Sequence, residues 1–371
     1  MFMATSRQHQ LHEQKLHELV KTMPFYVAEY VDDKFDYRSP STLLNYVLDY
    51  KLFLQWLMAE GIVECEDMKD IPLSALETLP LEVAQNFFKF VQRREIPVNQ
   101  KETKRPEKVS VNRKISALRS LFKYLTTQTE QEDGEPYFYR NVMQKIEVHK
   151  VKETLNARAT KLSAKIFQND DDVRFLDYVM NEYENELPEG SKKRGYFLRD
   201  KERDLAILSL FLGSGIRVNE LSNLRIRHIN FEENCIEVLR KGGKEDIAEV
   251  VPESMEDLKN YLHIRPSRYN ATTDEHEFVF VTKRNNEPSP LSNRAIEALV
   301  KKYTKSFSKS MSPHKLRHTY GTKLMEETND IHLLMRQLGH GSTTTAALYI
   351  NPDRDKAKKA AAQLGNRRTK T

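Results

Sequence analysis

Residues 204–215 run Asp204-Leu205-Ala206-Ile207-Leu208-Ser209-Leu210-Phe211-Leu212-Gly213-Ser214-Gly215. This apolar run, closed by a turn of small residues, predicts a buried helix that ends near Gly213. It is too short to span a bilayer. Further along, short apolar runs bounded by turn-forming residues predict strands, and the pattern from Leu291 onward is helical. The predicted strands are 229–231, 235–239, 247–251 and 278–281. This part of the chain therefore predicts a mixed α+β domain.

The first third of the chain has a different pattern. Apolar residues recur at helical spacing after the start signal at Ser39-Pro40, again from Pro80 to Arg94, and a third time from Ser110. No strand pattern occurs in this part, so we predict a small all-α domain ahead of the α+β domain. The predicted divisions are an N-terminal extension (1–38), the helical domain (39–128), a linker (129–165), the α+β domain (166–350) and a C-terminal tail (351–371).

The composition excludes several classes of protein. Of 371 residues, 59 are Lys or Arg and 54 are Asp or Glu, so the net charge of +5 excludes a histone-like polycation. The tail 351–371 carries this whole excess, since it has seven cations and two anions. Two cysteines, Cys65 and Cys235, are too few for a disulfide framework. The polar stretch 1–19 has no apolar core of a signal peptide, and we therefore expect a cytoplasmic protein.

The densest candidate chemistry lies in Ser312-Pro313-His314-Lys315-Leu316-Arg317-His318. His314 and Arg317 are three residues apart, so on a helix both project from one face. A guanidinium suits a phosphate, and an imidazole can donate or relay a proton beside it. The alternative is a solvated surface pair. A metal site at His314 and His318 is disfavoured because Lys315 stands where zinc proteases have a glutamate.

Three further clusters stand along the second domain. Arg217 follows the glycine-rich turn, with Glu220 as its obvious partner, and Arg240-Lys241-Gly242-Gly243-Lys244 predicts a basic hairpin tip. His340 lies between two glycines, and Tyr349 follows nine residues later. Each cluster has an ordinary structural explanation: a paired arginine, a solvated tip, and a tyrosine that packs in the core. Taken together, they provide an anion clamp, a general acid and a nucleophile for phosphoryl transfer at a phosphodiester.

Cations also gather in the helical domain. The loop 99–108 is polar and mainly basic, and the helix after it has a polar stripe that includes Arg119 and Lys123. The loop is either a solvated connector or a contact to the phosphate backbone of a nucleic acid. The candidate DNA-contact residues are Lys101, Lys104, Arg105, Lys108, Arg113, Lys114, Arg119 and Lys123.

The ordered set Arg217, Lys241, His314-x-x-Arg317, Leu338-Gly339-His340 and Tyr349 resembles the tyrosine recombinase (phage integrase) family. Within the family the chain is most similar to the single-recombinase Xer proteins of the XerS type, through residues 201–206 and the connector 144–172, which contains Glu153–Ala159. Residues 111–119 resemble the core-binding helix that lies on DNA. The resemblance implies a SAM-like core-binding domain and a catalytic domain that together form a C-shaped clamp on DNA.

The resemblance also implies roles for individual residues. Arg217, Lys241, His314, Arg317 and His340 match the catalytic set and Tyr349 the nucleophile, while Glu220 matches the residue that supports the first arginine. One departure concerns the hairpin, where Arg240 replaces the family's usual first glycine, so that Lys244 is a rival to Lys241 as the general acid. A smaller departure follows the His-x-x-Arg pair, at Tyr320, Gly321 and Lys323.

The implied reaction is cleavage of duplex DNA through a 3′-phosphotyrosyl link and strand exchange through a Holliday junction, with no cofactor and no metal. The implied partners are a specific recombination site in duplex DNA, a homotetramer with docked C-terminal tails, and a DNA translocase or other cell-division factor. The XerS resemblance implies that the chain resolves chromosome dimers before cell division. The alternatives are a mobile-element integrase, a type IB topoisomerase that uses a similar residue set, and a DNA-binding protein without activity.

Overall fold

The structure, a computed structural model, describes residues 7–97, 103–148, 153–240, 243–272, 276–339, 346 and 349, apart from the side chains of residues 155 and 156. The chain divides into two compact units, 1–152 and 153–371. This division lies inside the predicted linker 129–165, whose own bounds remain predictions.

The first unit is built from helices around one apolar core. The three predicted helices are present, and the start signal at Ser39 caps a helix with proline at its first turn. The helices are α1 (Arg7–Val20), α2 (Phe25–Lys34), α3 (Pro40–Ala59), α4 (Leu73–Glu77), α5 (Leu81–Arg93) and α6 (Lys108–Thr127), with 3-10 turns at Met68–Asp70 and Val142–Lys145.

This unit differs from the prediction at two places. The sequence pattern predicts no helix or strand in the extension 1–38, but α1 and α2 lie there and pack in the same core as α3. Helix α1 buries only Leu16 completely among its described side chains, so its sequence has little apolar periodicity. The expected absence of strands is wrong, because β1 (Ile96–Pro97) and β2 (Thr103–Lys104) pair antiparallel. Strands of two residues are too short to produce an alternating pattern.

The second unit is mixed, as predicted. Its helices are α7 (Leu155–Ser163), α8 (Asp171–Asp177), α9 (Lys192–Ser214), α10 (Val218–Ser222), α11 (Pro252–Tyr269), α12 (Asn293–Phe307), α13 (Pro313–Thr328) and α14 (Ile331–Leu338), with a π-turn at Tyr178–Glu182 and 3-10 turns at Tyr183–Glu186 and Ile226–His228. Its strands are β3 (Ile229–Asn230), β4 (Cys235–Leu239), β5 (Glu245–Glu249), β6 (Val281–Arg284) and β7 (Glu287–Pro290).

The strands pair with their neighbours in the chain, β3 to β4 to β5 and β6 to β7, all antiparallel. Two predicted strands are displaced. Strand β5 begins at Glu245 rather than Ile247, because its register is set by pairing of Leu239 with Glu245 across the hairpin. Strand β6 begins at Val281, and Phe278 makes only an isolated bridge to Arg225.

Helix α9 is the centre of the second unit. It begins twelve residues before the predicted start, and it buries a continuous run from Arg203 to Ser214. It packs closely on α11: a Cβ at Gly213 would lie 2.1 Å from Ser254 Oγ. In the part of the chain that the structure describes, we find no helix of the length and apolarity that crossing a bilayer requires.

Candidate active site

The site begins where α9 ends. Gly215 has φ +66°, a left-handed conformation that stops the helix, and two residues later Arg217 is the N-cap residue of α10. Glu220, on the first turn of α10, accepts a hydrogen bond of 2.7 Å from the Arg217 backbone N–H and one of 2.8 Å from Arg217 Nη1. The predicted pair of Arg217 and Glu220 is therefore present, and the carboxylate fixes both the backbone and the guanidinium of the arginine.

Glu220 is in contact with three arginines. Its Oε2 lies 3.1 Å from Arg240 Nη1 and 4.0 Å from Arg317 Nη1. Its side chain is only 2% exposed. One buried carboxylate thus faces cations from α10, from the end of β4 and from α13, and it holds them in one cluster.

Arg317 is 1% exposed and depends on backbone carbonyls for most of its contacts. Its Nη1 donates to the Gly215 carbonyl at 2.6 Å, and its Nη2 donates to the Leu338 carbonyl. These carbonyls belong to the ends of α9 and α14, where backbone oxygens lack helical partners and the helix dipole is negative. Burial lowers the pKa of the guanidinium to about 10. Arg317 therefore remains charged at neutral pH in spite of its burial.

The carbonyl of the next residue, Gly339, accepts from Arg217 Nη2 at 3.3 Å. The end of α14 thus contacts both arginines predicted to bind one phosphate. Arg217 is the more accessible of the two, because its side chain is 36% exposed. The guanidinium of Arg217 can therefore meet an anion that approaches from solvent.

His314 lies in the first turn of α13, three residues before Arg317, as its spacing predicted. His314 is exposed, but neighbouring groups displace part of the water around its imidazole. This desolvation, followed by the charges of Arg317 and Arg217, lowers the pKa of His314 below its ordinary value. Its Nε2 lies 3.1 Å from His318 Nε2. One of these two nitrogens must carry the proton and the other must accept it. A neutral His314 is thus the favoured form at pH 7.

Tyr349 is 1% exposed and packs against the ring of His318, with 5.0 Å between the ring centroids. Burial raises the pKa of its phenol to about 12, while the nearby charges of Arg317 and Arg217 act in the opposite direction. The structure therefore brings Arg217, Glu220, His314, Arg317 and Tyr349 together. A buried phenol beside two guanidiniums and a neutral imidazole is suited to nucleophilic attack on a phosphate.

Other predicted features of the site lie outside the described residues: Lys241, His340 and the tail 351–371. The rival lysine, Lys244, is exposed, and its carbonyl accepts from the Arg240 N–H at 2.7 Å.

Sequence reasoning missed two residues of the cluster. In the sequence, Arg240 is only a departure from the family's hairpin, yet in the structure it is buried against Glu220. His318 is a candidate only for a metal site in the sequence, yet in the structure it lies between His314 and Tyr349. The i, i+4 spacing of His314 and His318 could have indicated their contact. No local signal indicates that an arginine in a basic hairpin is buried.

The described DNA-contact candidates of the helical unit fall into three groups. Arg113 and Lys114 both pair with Asp49 of α3, a carboxylate with 2% side-chain exposure, and the Arg113 contact is 2.7 Å. Together with Lys51 and Arg94 they line a shallow groove. Since Arg113 keeps 41% of its side chain exposed, Asp49 holds it in place without covering it.

Arg119 has an intramolecular role. Its guanidinium donates to the carbonyls of Met143 at 3.2 Å, Gln144 at 3.4 Å and Ile146, which close the 3-10 turn Val142–Lys145. The remaining described candidates, Lys104, Arg105, Lys108 and Lys123, are exposed. Lys101 lies outside the described residues.

Comparison with known proteins adds to this geometry. Residues 191–356 match the Phage integrase family. The chain is 40% identical over 353 residues to tyrosine recombinase XerS of Lactococcus lactis subsp. lactis (strain IL1403), a match that covers 95% of this chain and 98% of the relative. It is 39% identical over 352 residues to tyrosine recombinase XerS of Streptococcus agalactiae serotype III (strain NEM316), with the same coverage.

Two solved structures have the same fold. One is the XerH site-specific recombinase bound to a palindromic difH substrate in a post-cleavage complex, with a TM-score of 0.59, 19% identity and coverage of 87% of this chain and 80% of that chain. The other is a lambda integrase dimer bound to a COC' core site, with a TM-score of 0.55, 15% identity and coverage of 89% and 77%.

Proposed function

Since the chain belongs to the phage integrase family, as a tyrosine-type site-specific recombinase, we propose that it resolves chromosome dimers. It would do so by exchanging strands between two copies of one site in duplex DNA. The observation that carries the chemistry is the buried phenol of Tyr349 next to Arg317, whose partner Glu220 also holds Arg217. The chromosomal role is supported by similarity to XerS proteins along nearly the whole chain.

The proposed cleavage step is an in-line attack by Tyr349 on the scissile phosphate. The bond from Tyr349 Oη to phosphorus forms, and the bond from phosphorus to the 5′-oxygen breaks, so the products are a 3′-phosphotyrosyl link and a 5′-hydroxyl. Arg217 and Arg317 hold the non-bridging oxygens, whose charge increases in the transition state. The phenol stays protonated at neutral pH because its pKa is about 12. It therefore needs a base, and His314, with its lowered pKa, is the proposed acceptor of that proton.

The other proton goes to the leaving group. Lys241 protonates the departing 5′-oxygen, and His340 adds a hydrogen bond to the phosphate. Because the phosphotyrosyl ester keeps the energy of the broken phosphodiester, the reaction needs neither ATP nor a metal. The 5′-hydroxyl of the partner duplex then attacks the ester and releases Tyr349. Two such exchanges pass through a Holliday junction.

The proposed assembly is a homotetramer on two duplexes. The catalytic domain (166–350) cleaves, the helical domain (39–128) grips the DNA backbone with exposed cations such as Lys104 and Arg105, and the tails (351–371) dock on neighbouring protomers. A DNA translocase or another cell-division factor is the proposed activating partner, and the cytoplasm is the proposed location.

The nucleophile is tested by Tyr349→Phe. The variant should bind its site with unchanged affinity and leave no SDS-resistant protein–DNA adduct, because it has lost only the attacking oxygen. Cleavage of a suicide substrate with a nick near the cut site would accumulate the adduct in the wild-type protein. An undiminished adduct in the variant excludes Tyr349 as the nucleophile.

The general acid is tested with a 5′-bridging phosphorothiolate substrate, whose sulfur leaves without a proton. This substrate should restore cleavage by Lys241→Ala. If it restores Lys244→Ala and not Lys241→Ala, the assignment of the acid is wrong. Recombination between two differently marked duplexes then separates a recombinase from a topoisomerase, which rejoins the same strands.

The cellular role is tested separately. Covalent adducts of the wild-type protein, trapped in the host and sequenced, should map to one site in the host chromosome that is not the end of an inserted element. Adducts at the ends of an inserted element would instead show a mobile-element integrase.

A further inference from the structure

Arg240, the last residue before the tip of the β4–β5 hairpin, is a buried cation with partners on all three of its nitrogens. Its side chain is 7% exposed. Its Nε lies 3.0 Å from Asp246 Oδ2, its Nη1 lies 3.1 Å from Glu220 Oε2, and its Nη2 donates to the Gln337 carbonyl at 2.7 Å. A hairpin-tip arginine is ordinarily solvated, so this burial requires a reason.

The three partners of Arg240 lie on three different elements. Asp246 is on strand β5, across the hairpin, Glu220 is on α10, and Gln337 is in the last turn of α14. Glu220 is the carboxylate that also contacts Arg217 and Arg317. A single side chain thus fixes the hairpin to the arginine cluster and to the end of α14.

Neighbouring contacts strengthen this link. The Gln337 amide donates to the Glu249 carbonyl at 2.7 Å and to the Ser214 carbonyl at 3.1 Å, and it accepts from the Glu249 N–H at 3.2 Å. Gln337 therefore joins α14 to strand β5 by its side chain, while its carbonyl accepts from Arg240. Helix α14 is therefore joined to the hairpin at two places, at Arg240 beside the tip and at Glu249 in strand β5.

Gly339 lies directly on the guanidinium of Arg240. A Cβ on Gly339 would be 2.8 Å from Arg240 Nε and 3.0 Å from Arg240 Cδ, and the glycine has φ +58°. Two independent constraints, the left-handed backbone and this close approach, thus require glycine there. The chain that leads to residue 340 therefore packs against Arg240, the residue that precedes position 241 in the hairpin.

The base of the hairpin tip is also fixed at Arg240. Its N–H donates to the Lys244 carbonyl at 2.7 Å, and its carbonyl accepts from the Gly243 N–H at 3.2 Å. The position of Arg240 therefore determines where the tip starts and ends. Lysine could not replace it, because one ammonium cannot reach three acceptors in the directions that a planar guanidinium spans.

We propose that Arg240 is a positioning residue for leaving-group protonation: it anchors the β4–β5 hairpin to Glu220 and to α14, so that the hairpin lysine acts on the phosphate held by Arg217 and Arg317. This inference rests on the proposed function, because it assigns Arg240 a task in the same cleavage step. Arg240 touches neither the phosphate nor the nucleophile in this role; it acts through the hairpin.

The test compares Arg240→Met with the wild-type protein on two suicide substrates, one with the natural 5′-oxygen and one with a 5′-bridging sulfur. Since general acid catalysis contributes about 100-fold to 10,000-fold, misplacing the acid should slow cleavage of the oxygen substrate about 30-fold or more. Cleavage of the sulfur substrate should stay within about threefold of wild type, because sulfur leaves without a proton. Equal slowing on both substrates, or no slowing on either, overturns the proposal.

A control variant and a second variant complete the test. Arg203→Met removes another arginine with 7% side-chain exposure from the same unit, one that contacts Asp204 and the Val281 carbonyl away from the site. It should show no difference between the two substrates. If Arg240→Met does not fold, as judged by circular dichroism, Asp246→Asn is tested in its place. It removes the charge of the hairpin carboxylate that pairs with Arg240, and the Asp246 side chain is 37% exposed. Selective slowing on the oxygen substrate supports the proposal, and its absence overturns it.

The two proposals fail in different ways. If the wild-type protein forms no adduct with either substrate, the proposed function fails. If it forms adducts that depend on Tyr349 but Arg240→Met is not rescued by sulfur, only the assignment of Arg240 fails.

Discussion

Gly321 of α13 lies against the ring of Tyr349, so closely that a Cβ on the glycine would be 2.5 Å from Tyr349 Cε1 and 2.8 Å from Cδ1. Cβ atoms in proteins essentially never lie within 3.0 Å of a non-bonded heavy atom. Any side chain at position 321 must therefore displace the ring of Tyr349. Gly321 therefore leaves the space that the ring of the nucleophile occupies. In the sequence it is only a departure from the family's pattern after the His-x-x-Arg pair.

We predict that Gly321→Ala slows formation of the covalent adduct at least tenfold while DNA binding is retained. The physical reason is displacement of the Tyr349 ring, and misplacement of a reacting group by about 1 Å can cost about 100-fold in rate. Single-turnover cleavage of a suicide substrate measures the effect.

The matched control for this prediction is Gly195→Ala. Gly195 also lies inside a helix, α9, but nothing lies within 4 Å of a Cβ built there. This substitution should leave cleavage unchanged and stabilise the helix by about 0.5–1 kcal/mol, since alanine is the better helix former. If the two variants have equal cleavage rates, the ring contact has no role in placing Tyr349.

Glu220→Gln should lower both the stability of the catalytic unit and the rate of cleavage. The carboxylate is 2% exposed and faces Arg217, Arg240 and Arg317. Among the described residues, the amide therefore leaves Arg217 and Arg317 without a counter-charge, and Arg240 keeps only Asp246. Removal of one member of a buried ion pair typically costs about 3–5 kcal/mol. Thermal unfolding of the full chain, followed by circular dichroism, measures the loss.

Glu277→Gln is the control for this substitution. Glu277 pairs with Arg225 at 2.7 Å, but its side chain is 49% exposed, and exposed pairs are worth about 0–1 kcal/mol. A Glu220 variant that unfolds at the same temperature as the Glu277 variant would contradict the view that Glu220 organises the cluster.

The pH dependence of cleavage follows from the pKa values of His314 and Tyr349. The pKa of His314 lies below its ordinary value of about 6.5, so the base is free at neutral pH and becomes protonated only in more acidic solution. Tyr349, whose pKa is about 12, stays protonated throughout the working range. We therefore expect a rate that is constant between about pH 7 and pH 9 and that falls only in solution more acidic than the ordinary imidazole pKa of about 6.5.

His314→Asn should remove the acidic limb of this profile and lower the plateau. His318, which contacts His314 and Tyr349, is kept unchanged in this variant. A wild-type rate that increased about tenfold per pH unit above pH 7 would instead show attack by tyrosinate formed without a protein base.

Binding to DNA should weaken steeply with salt although the net charge is only +5. Each phosphate contact contributes about 0.9 to the slope of log K against log salt concentration, so replacing both Lys104 and Arg105 by alanine should reduce the slope by about 1–2. Fluorescence anisotropy at several salt concentrations measures it. A wild-type slope near zero would contradict the proposed backbone grip.

Arg119→Met is expected to behave in the opposite way. Its guanidinium is engaged with the carbonyls of Met143, Gln144 and Ile146, so its loss should destabilise the helical unit by about 1.5–3 kcal/mol and leave the salt slope unchanged. A reduced salt slope of DNA binding, with an unchanged free energy of unfolding, would instead show that Arg119 contacts the DNA backbone.

The amino-acid sequence alone predicts the class of both units and the pairing of Arg217 with Glu220, because helical periodicity and i, i+3 spacing are local properties. It also predicted that His314 and Arg317 share one helix face. It missed α1, which buries only Leu16 completely, and α2, a ten-residue helix whose buried residues do recur at helical spacing: Tyr26, Val27, Tyr30 and Val31. It displaced β5 by two residues, since register is set by the partner strand and not by the strand's own residues.

The partners that hold the cations of the site are visible only in the folded chain. Arg240 looks like a solvated hairpin residue in the sequence, yet Glu220, Asp246 and Gln337 meet it from three elements. Gly321 has no positive φ that would mark it as required, and its role follows from the ring of a tyrosine 28 residues away. Such contacts join residues far apart in the chain, and burial of a charge depends on whether distant segments supply its partners. The net charge of +5 does not show which cations are buried and paired, because it is a sum over all positions. The reactivity of the site depends on where each charge lies.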